Sequence, residues 1–116
     1  MKTNAKVYVM VDGEGRTAPR RIEMTTHDLK VWPEYFSDLL SGDKTFEVRK
    51  DDRGYAVGDT LRLREYAPGP DEYTGRDIER RVSYIISGSD VMGYAFGVQA
   101  GFVVMGLQPL PQPPGE

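Results

Sequence analysis

Apolar and polar positions alternate along most of this chain, and the alternation predicts a series of short strands. Val7, Val9 and Val11 alternate with Tyr8 and Met10 ahead of the turn residues Asp12 to Gly15, so residues 6–11 read as a strand. Arg20 to Met24 is expected to return beside it, which makes residues 1–25 an N-terminal hairpin or extension. Residues 27–32 place His27, Leu29 and Val31 on one face, with Asp28, Lys30 and Trp32 on the other. Pro33 suits the first position of a helix, where its missing N–H costs nothing. Tyr35, Phe36, Leu39 and Leu40 recur at helical spacing, and Gly42 is the expected stop.

Leu61 and Leu63 alternate with Arg62 and Arg64 to give a strand at 60–66, and Ala67 to Gly75 is a turn-rich connection. Ile78 to Ile86 is strand again, with Val82, Tyr84 and Ile86 expected on one side. Gly88 to Gly101 holds four glycines and is either a loop or the site of a helical turn within Val91 to Gln99. Phe102 to Met105 is fully apolar, as a strand in a sheet interior would be. Four prolines in residues 108–116 predict a disordered tail. Five or six strands with one early helix give an α+β, mainly β class, a small and largely antiparallel sheet or barrel.

The densest run of functional side chains is the strand expected at 44–50. Phe46 and Val48 would share the face that anchors it to the core, and Thr45, Glu47 and Arg49 the other. That polar row is either a solvated sheet face or the floor of a cleft. In a cleft, Arg49 offers a planar fork to a phosphate or a base edge, and Glu47 accepts from an amino or hydroxyl group. On a solvated face the two are a charge pair worth about 0–1 kcal/mol. Lys44 stands at the mouth of the strand, as a solvated cation, a phosphate contact or, if desolvated, a general base. Trp32 and Tyr35 flank the helix start, either as packing residues or as stacking surfaces for a base. His27 is read as a partly buried structural histidine.

Composition narrows the chemistry. The net charge of −3 argues against coating nucleic acid by bulk electrostatics. Nine Lys/Arg and nine Asp/Glu lie between residues 44 and 81, whereas residues 82–115 carry only Asp90. Arg62, Arg64, Arg76, Arg80 and Arg81 would form a basic stripe if their strands pair, unless Glu65, Asp77 and Glu79 cancel it. No cysteine and one histidine exclude disulfides, thiolate zinc sites and multi-histidine metal centres. No metal or other cofactor is expected. Neither a membrane span nor a signal peptide is visible, so the expected location is the cytoplasm.

Taken in order, His27 to Lys30, Pro33 to Phe36, the Gly42-Asp-Lys-Thr-Phe-Glu-Val-Arg-Lys50 run, Asp52-Arg53, Val57-Gly-Asp59, Leu61 to Tyr66, Tyr73-Thr-Gly75 and Gly101 to Val104 resemble the ASCH domains of the PUA-like superfamily. A short branch common in phage and bacterial genomes, without an assigned function, is the nearest likeness. The resemblance covers residues 26–107. It implies a small β-barrel with a short helix packed near its mouth, a cleft beside strand 44–50, and RNA or a nucleotide-like small molecule as ligand. On this reading Lys30, Lys44, Thr45, Glu47, Arg49, Lys50 and Arg53 form the binding set.

A related ASCH group hydrolyses N4-acetylcytidine with a lysine, a threonine and a glutamate. Its lysine falls on Lys44, but Glu47 stands where it has its threonine, and its distant glutamate has no counterpart here. A small amidohydrolase acting on an N4-acylated cytidine-type nucleoside, with Lys44 and Glu47 as catalytic residues, is therefore an alternative. A phage accessory module that binds a host protein through the N-terminal hairpin is another. Oligomeric state is not legible in the chain.

Overall fold

A computed structural model describes residues 6–10, 17–21 and 25–111. Part of the N-terminal hairpin and residues 112–116 of the proline-rich tail therefore lie outside the described residues. Strands β1 (Lys6–Met10) and β2 (Thr17–Arg21) pair antiparallel as a two-stranded sheet, with Lys6 opposite Arg21 and Met10 opposite Thr17.

The rest of the chain runs β3 (Thr26–Val31), α1 (Pro33–Ser41), β4 (Phe46–Lys50), β5 (Thr60–Ala67), β6 (Glu72–Ser87), α2 (Val91–Ala95) and β7 (Phe102–Gln108). Five of these strands form one sheet in the order β3-β5-β6-β7-β4, antiparallel except for the parallel β3–β5 pair. The sheet curls into a half-barrel whose edge strands β3 and β4 face each other.

Alternation places one face of each strand inward. Leu29 and Val31 of β3, Leu61 and Leu63 of β5, Val82 of β6 and Val103, Met105 and Leu107 of β7 are buried in one cluster. Helix α1 starts on Pro33 and stops at Gly42, which takes a left-handed φ of 88° and bonds back to the Leu39 carbonyl. Its Phe36 and Leu39 complete the core cluster, each only 1% exposed.

Two polar anchors hold the ends of this core. Asp59, fully buried, accepts from His27 Nε2 at 2.9 Å and from the Ala56 N–H at 3.0 Å, while the Tyr55 ring packs edge-on to the imidazole. Glu65 accepts from Thr74 Oγ1 at 2.6 Å and from the Arg76 fork at 2.9 Å through both oxygens. The Arg76 guanidinium also lies 5.0 Å from the Phe36 ring centroid, tying the β5–β6 hairpin to α1. Arg76, and then Thr74, hold the Glu65 carboxyl below its ordinary value near 4.5.

Several expectations need correction. The strand expected at 78–86 runs from Glu72 to Ser87, because the segment after Ala67 turns at once and pairs, Glu72 with Ala67 and Tyr73 with Tyr66. A register shift between Val82 and Tyr84 breaks the alternation, so Val82 points inward while Tyr84 is exposed. Of the two alternatives for the glycine-rich stretch, the helical turn within Val91 to Gln99 is the one that forms: α2 packs against β6 at Gly93, where a Cβ would run into the Ser87 carbonyl.

Phe36→Ala is expected to cost about 3–5 kcal/mol in urea unfolding, because it empties the helix side of the core. The lowered Glu65 value means that its contribution to stability is present above about pH 4.5 and is lost as pH falls through the folded value. In Glu65→Gln the loss of stability between about pH 5 and pH 3 should be shallower than in the wild type, measured as the urea midpoint across that range.

Candidate functional site

Strand β4 presents the opposite face to the core from the one its apolar pattern suggests. Glu47 is 3% exposed, whereas Phe46 and Val48 are 46% and 53% exposed. The anchoring role expected of Phe46 and Val48 is thus corrected. The physical reason is the ion-pair system on the inner face: Lys44 Nζ donates to Glu47 Oε1 at 2.7 Å and Arg49 Nε donates to Oε2 at 2.8 Å. A carboxylate with both oxygens engaged by cations can be buried at tolerable cost, and it faces inward beside Met105 and Val103 across the β4–β7 ladder.

Local structure places each of these groups. The Gly42 stop turns the chain out of α1, and the Lys44 N–H bonds to the Asp38 carbonyl, which fixes the start of β4 against the helix. Thr45 passes its carbonyl to the Leu107 N–H, so backbone groups of odd-numbered residues face β7, and those of Phe46, Val48 and Lys50 face the β3 side. Across the gap, Arg49 Nη2 donates to the Lys30 carbonyl at 2.9 Å and Arg53 Nη1 to the Asp28 carbonyl at 2.9 Å. Two guanidinium groups therefore close the seam of the half-barrel where no strand ladder does.

Above the Arg49 bridge lies a cavity of about 390 Å³, lined by Lys30, Val31, Trp32, Tyr35, Lys44, Glu47, Val48 and Arg49. That volume is within the range of small-molecule sites, roughly 300–1,000 Å³. Of the residues singled out from sequence, Lys30, Lys44, Glu47 and Arg49 come together here. Thr45, Lys50 and Arg53 do not line it; Thr45 is exposed just ahead of β4 and Lys50 at its end, and Arg53 lies along the seam toward Asp28.

Two wall residues change the picture from that of a charge cluster. Trp32 and Tyr35 are each 51% exposed, so of the two roles open to them packing is corrected and an aromatic wall remains. Their position was readable in principle: Phe36 and Leu39 define the buried arc of α1, and Tyr35 stands off it. Lys44 Nζ lies 5.2 Å from the Tyr35 ring centroid, linking the cationic floor to that wall. Three cations against one carboxylate leave the lining at a net charge of +2 (Lys30, Lys44 and Arg49 less Glu47). A concave, positively charged site with flat rings suits an anionic ligand that carries a planar group.

Of the predicted basic stripe on β5 and β6, Arg62 and Arg76 are neutralised by carboxylates, whereas Arg80 and Arg81 bond to neutral oxygens and Arg64 rests on a tyrosine ring. Arg62 pairs with Asp77 at 3.1 Å and Asp28 at 3.6 Å, and Arg76 is committed to Glu65. Among the described residues no group of three or more histidine, cysteine or carboxylate side chains could hold a metal ion.

Glu47→Ala is expected to destabilise the fold by about 2–3 kcal/mol in urea unfolding, because it removes two charge-assisted hydrogen bonds and leaves Lys44 and Arg49 facing each other. Glu47→Gln, which keeps one acceptor oxygen, should lose less.

Among curated proteins, the chain is similar to the "Uncharacterized 12.9 kDa protein in GpA 3'region" of Escherichia phage P2, with 42% identity over 64 residues. That match spans 55% of this chain and 57% of the phage protein, little more than half of either. A family model described as "Domain of unknown function (DUF3850)" matches residues 26–107, which takes in the half-barrel short of the last residue of β7, the seam and the cavity. The chain therefore belongs to the DUF3850 family.

Proposed function

We propose that residues 26–107 form an RNA- or nucleotide-binding domain whose ligand enters the cavity at the β3–β4 seam. The observation that carries this reading is the conjunction of a net +2 lining with two half-exposed aromatic rings in one concavity. Cations without rings would suit any anion, and rings without cations any apolar ligand. Together they match a phosphate joined to a base. The ordered motifs that resemble ASCH domains, and with them a PUA-like architecture, point to the same ligand class.

The roles follow from which donors are spoken for. Glu47 has both oxygens engaged, so its task is to hold Lys44 and Arg49 in place rather than to read the ligand first. Lys44 has further N–H donors on its ammonium group, and Arg49 has Nη1 beside the two nitrogens already bonded. These donors face a phosphate or a base edge, Trp32 and Tyr35 sandwich or flank the base, and Lys30 stands at the rim. Lys50 and Arg53 add to the attractive field without touching the ligand.

One distance favours a second reading. Lys44 Nζ and Glu47 Oε1 are 2.7 Å apart on the cavity wall, near enough for proton transfer. In a hydrolase for N4-acylated cytidine, Glu47 would take a proton from the attacking water and Lys44 would protonate the departing amine.

Trp32 is the single tryptophan of the chain and lines the cavity, so its fluorescence reports occupancy directly. Titration with nucleoside monophosphates, modified nucleosides and short RNAs should quench it. Arg49→Ala should weaken binding at least about tenfold, the loss of one or two charge-assisted bonds. No quenching by any of these ligands, or unchanged affinity in a folded Arg49→Ala protein, rejects the binding reading. Turnover of N4-acetylcytidine that disappears in Lys44→Ala would favour the hydrolase instead.

A further inference from the structure

Beyond the cavity, the outer face of β3, β5 and β6 carries a second set of rings and cations that the site described above leaves unused. Tyr66 and Tyr73 sit opposite each other on the β5–β6 hairpin, with ring centroids 5.4 Å apart in an edge-to-face contact. The Arg64 guanidinium carbon lies 3.8 Å from the Tyr73 centroid. Lys30 Nζ lies 4.3 Å from the Tyr66 centroid and 5.9 Å from that of Tyr73. Lys30 belongs to both places, since it also lines the cavity. Tyr73 is 40% exposed, so one of these rings is open to a ligand.

The charge pattern sets this cluster apart from the rest of the face. Arg62, one row below, is neutralised by Asp28 and Asp77. Among the described residues, neither Lys30 nor Arg64 lies within ion-pair distance of a carboxylate. Both cations rest on tyrosine rings instead. At the hairpin tip Asp71 and Glu72 restore negative charge and bound the cluster on that side.

We infer that the Tyr66–Tyr73–Arg64 cluster is a second base-stacking subsite, joined to the cavity by Lys30, so that the preferred ligand is a single-stranded oligonucleotide and not a mononucleotide. This rests on the nucleotide-binding reading of the cavity and extends it. One nucleotide occupies the cavity against Trp32 and Tyr35. The Lys30 ammonium, between two ring surfaces, meets the phosphate that links it to its neighbour. The neighbouring base stacks on the open face of Tyr73, beside the Arg64 guanidinium. Stacking of this kind tolerates any base, because each has a π-face, so chain length rather than sequence sets the gain. The strand ends before the tip acids, which limits the footprint to two or three nucleotides.

The test is a length series of adenylates and of uridylates, with one, two, three and six nucleotides, titrated into the full chain and followed by Trp32 fluorescence. Wild type should gain about tenfold or more in affinity between one and three nucleotides, and little thereafter. Tyr73→Ala should abolish that gain while leaving mononucleotide affinity unchanged, and Tyr73→Phe should retain it. Equal affinity for one and three nucleotides in wild type overturns the inference while leaving the cavity reading intact. An equal loss for all lengths in Tyr73→Ala also overturns it. Failure of every ligand, mononucleotides included, removes the cavity reading and this one together.

Discussion

A single arginine sets the terms of this structure. Arg49 reaches from the inner face of β4 with Nε on Glu47 and Nη2 on the Lys30 carbonyl, so one side chain both neutralises a buried carboxylate and spans the gap between the two edge strands. A five-stranded curled sheet has two edges, and an open edge exposes unpaired backbone donors and acceptors. Closing it with a sixth strand would satisfy those groups and fill the gap. Closing it with guanidinium groups satisfies the Asp28 and Lys30 carbonyls and leaves space between the strands. The cavity exists because the barrel is completed by side chains.

The burial of Glu47 follows from the same arrangement. A lone carboxylate on the inner face would be costly, and a lone arginine there would have no reason to hold its extended geometry. With Lys44 on one oxygen and Arg49 on the other, the carboxylate becomes a bracket that fixes two cations on the cavity wall. Elsewhere the molecule handles charge in the same way. Arg76 and Thr74 satisfy Glu65 at the helix side of the core, and His27 and the Ala56 N–H satisfy Asp59 at the other anchor. None of the buried side-chain polar atoms among the described residues lacks a partner.

Much of this was legible in the chain, but not its sense of inside and outside. Alternation in β3 and β5 identified the faces correctly, because apolar residues there had no competing demand and simply went inward, whereas the uniformly apolar β7 offered no alternation to read and buries Val103 and Met105 while Phe102 and Val104 stay partly exposed. In β4 the same rule assigned the faces backwards. Phe46 and Val48 look like anchors until the long-range partners of Glu47 are known, and Arg49 engages the Lys30 carbonyl 19 residues away. The register shift in β6 had a similar effect, since Val82 and Tyr84 lie on different faces although the period of two puts them on one. The candidate site was half readable: the strand supplied Lys44, Glu47 and Arg49, whereas the packing and stacking roles open to Trp32 and Tyr35 separate only once α1 buries Phe36 and Leu39 and leaves them at the opening.

A ligand that binds at the seam must compete with the bonds that close it. The Arg49 fork has one nitrogen on Glu47 and another on a backbone carbonyl. The Glu47 bond is charge-assisted on both sides, whereas the Lys30 carbonyl is a neutral acceptor and the weaker of the two holds. An anion placed in the cavity would therefore draw on the free Nη1 first and on Nη2 second, and Glu47 would stay in place as the pivot. Lys30 lends its carbonyl to Arg49 and its ammonium to Tyr66, so one residue of β3 touches both the seam and the outer face. The seam is thus where the electrostatics of the interior and those of the outer surface meet.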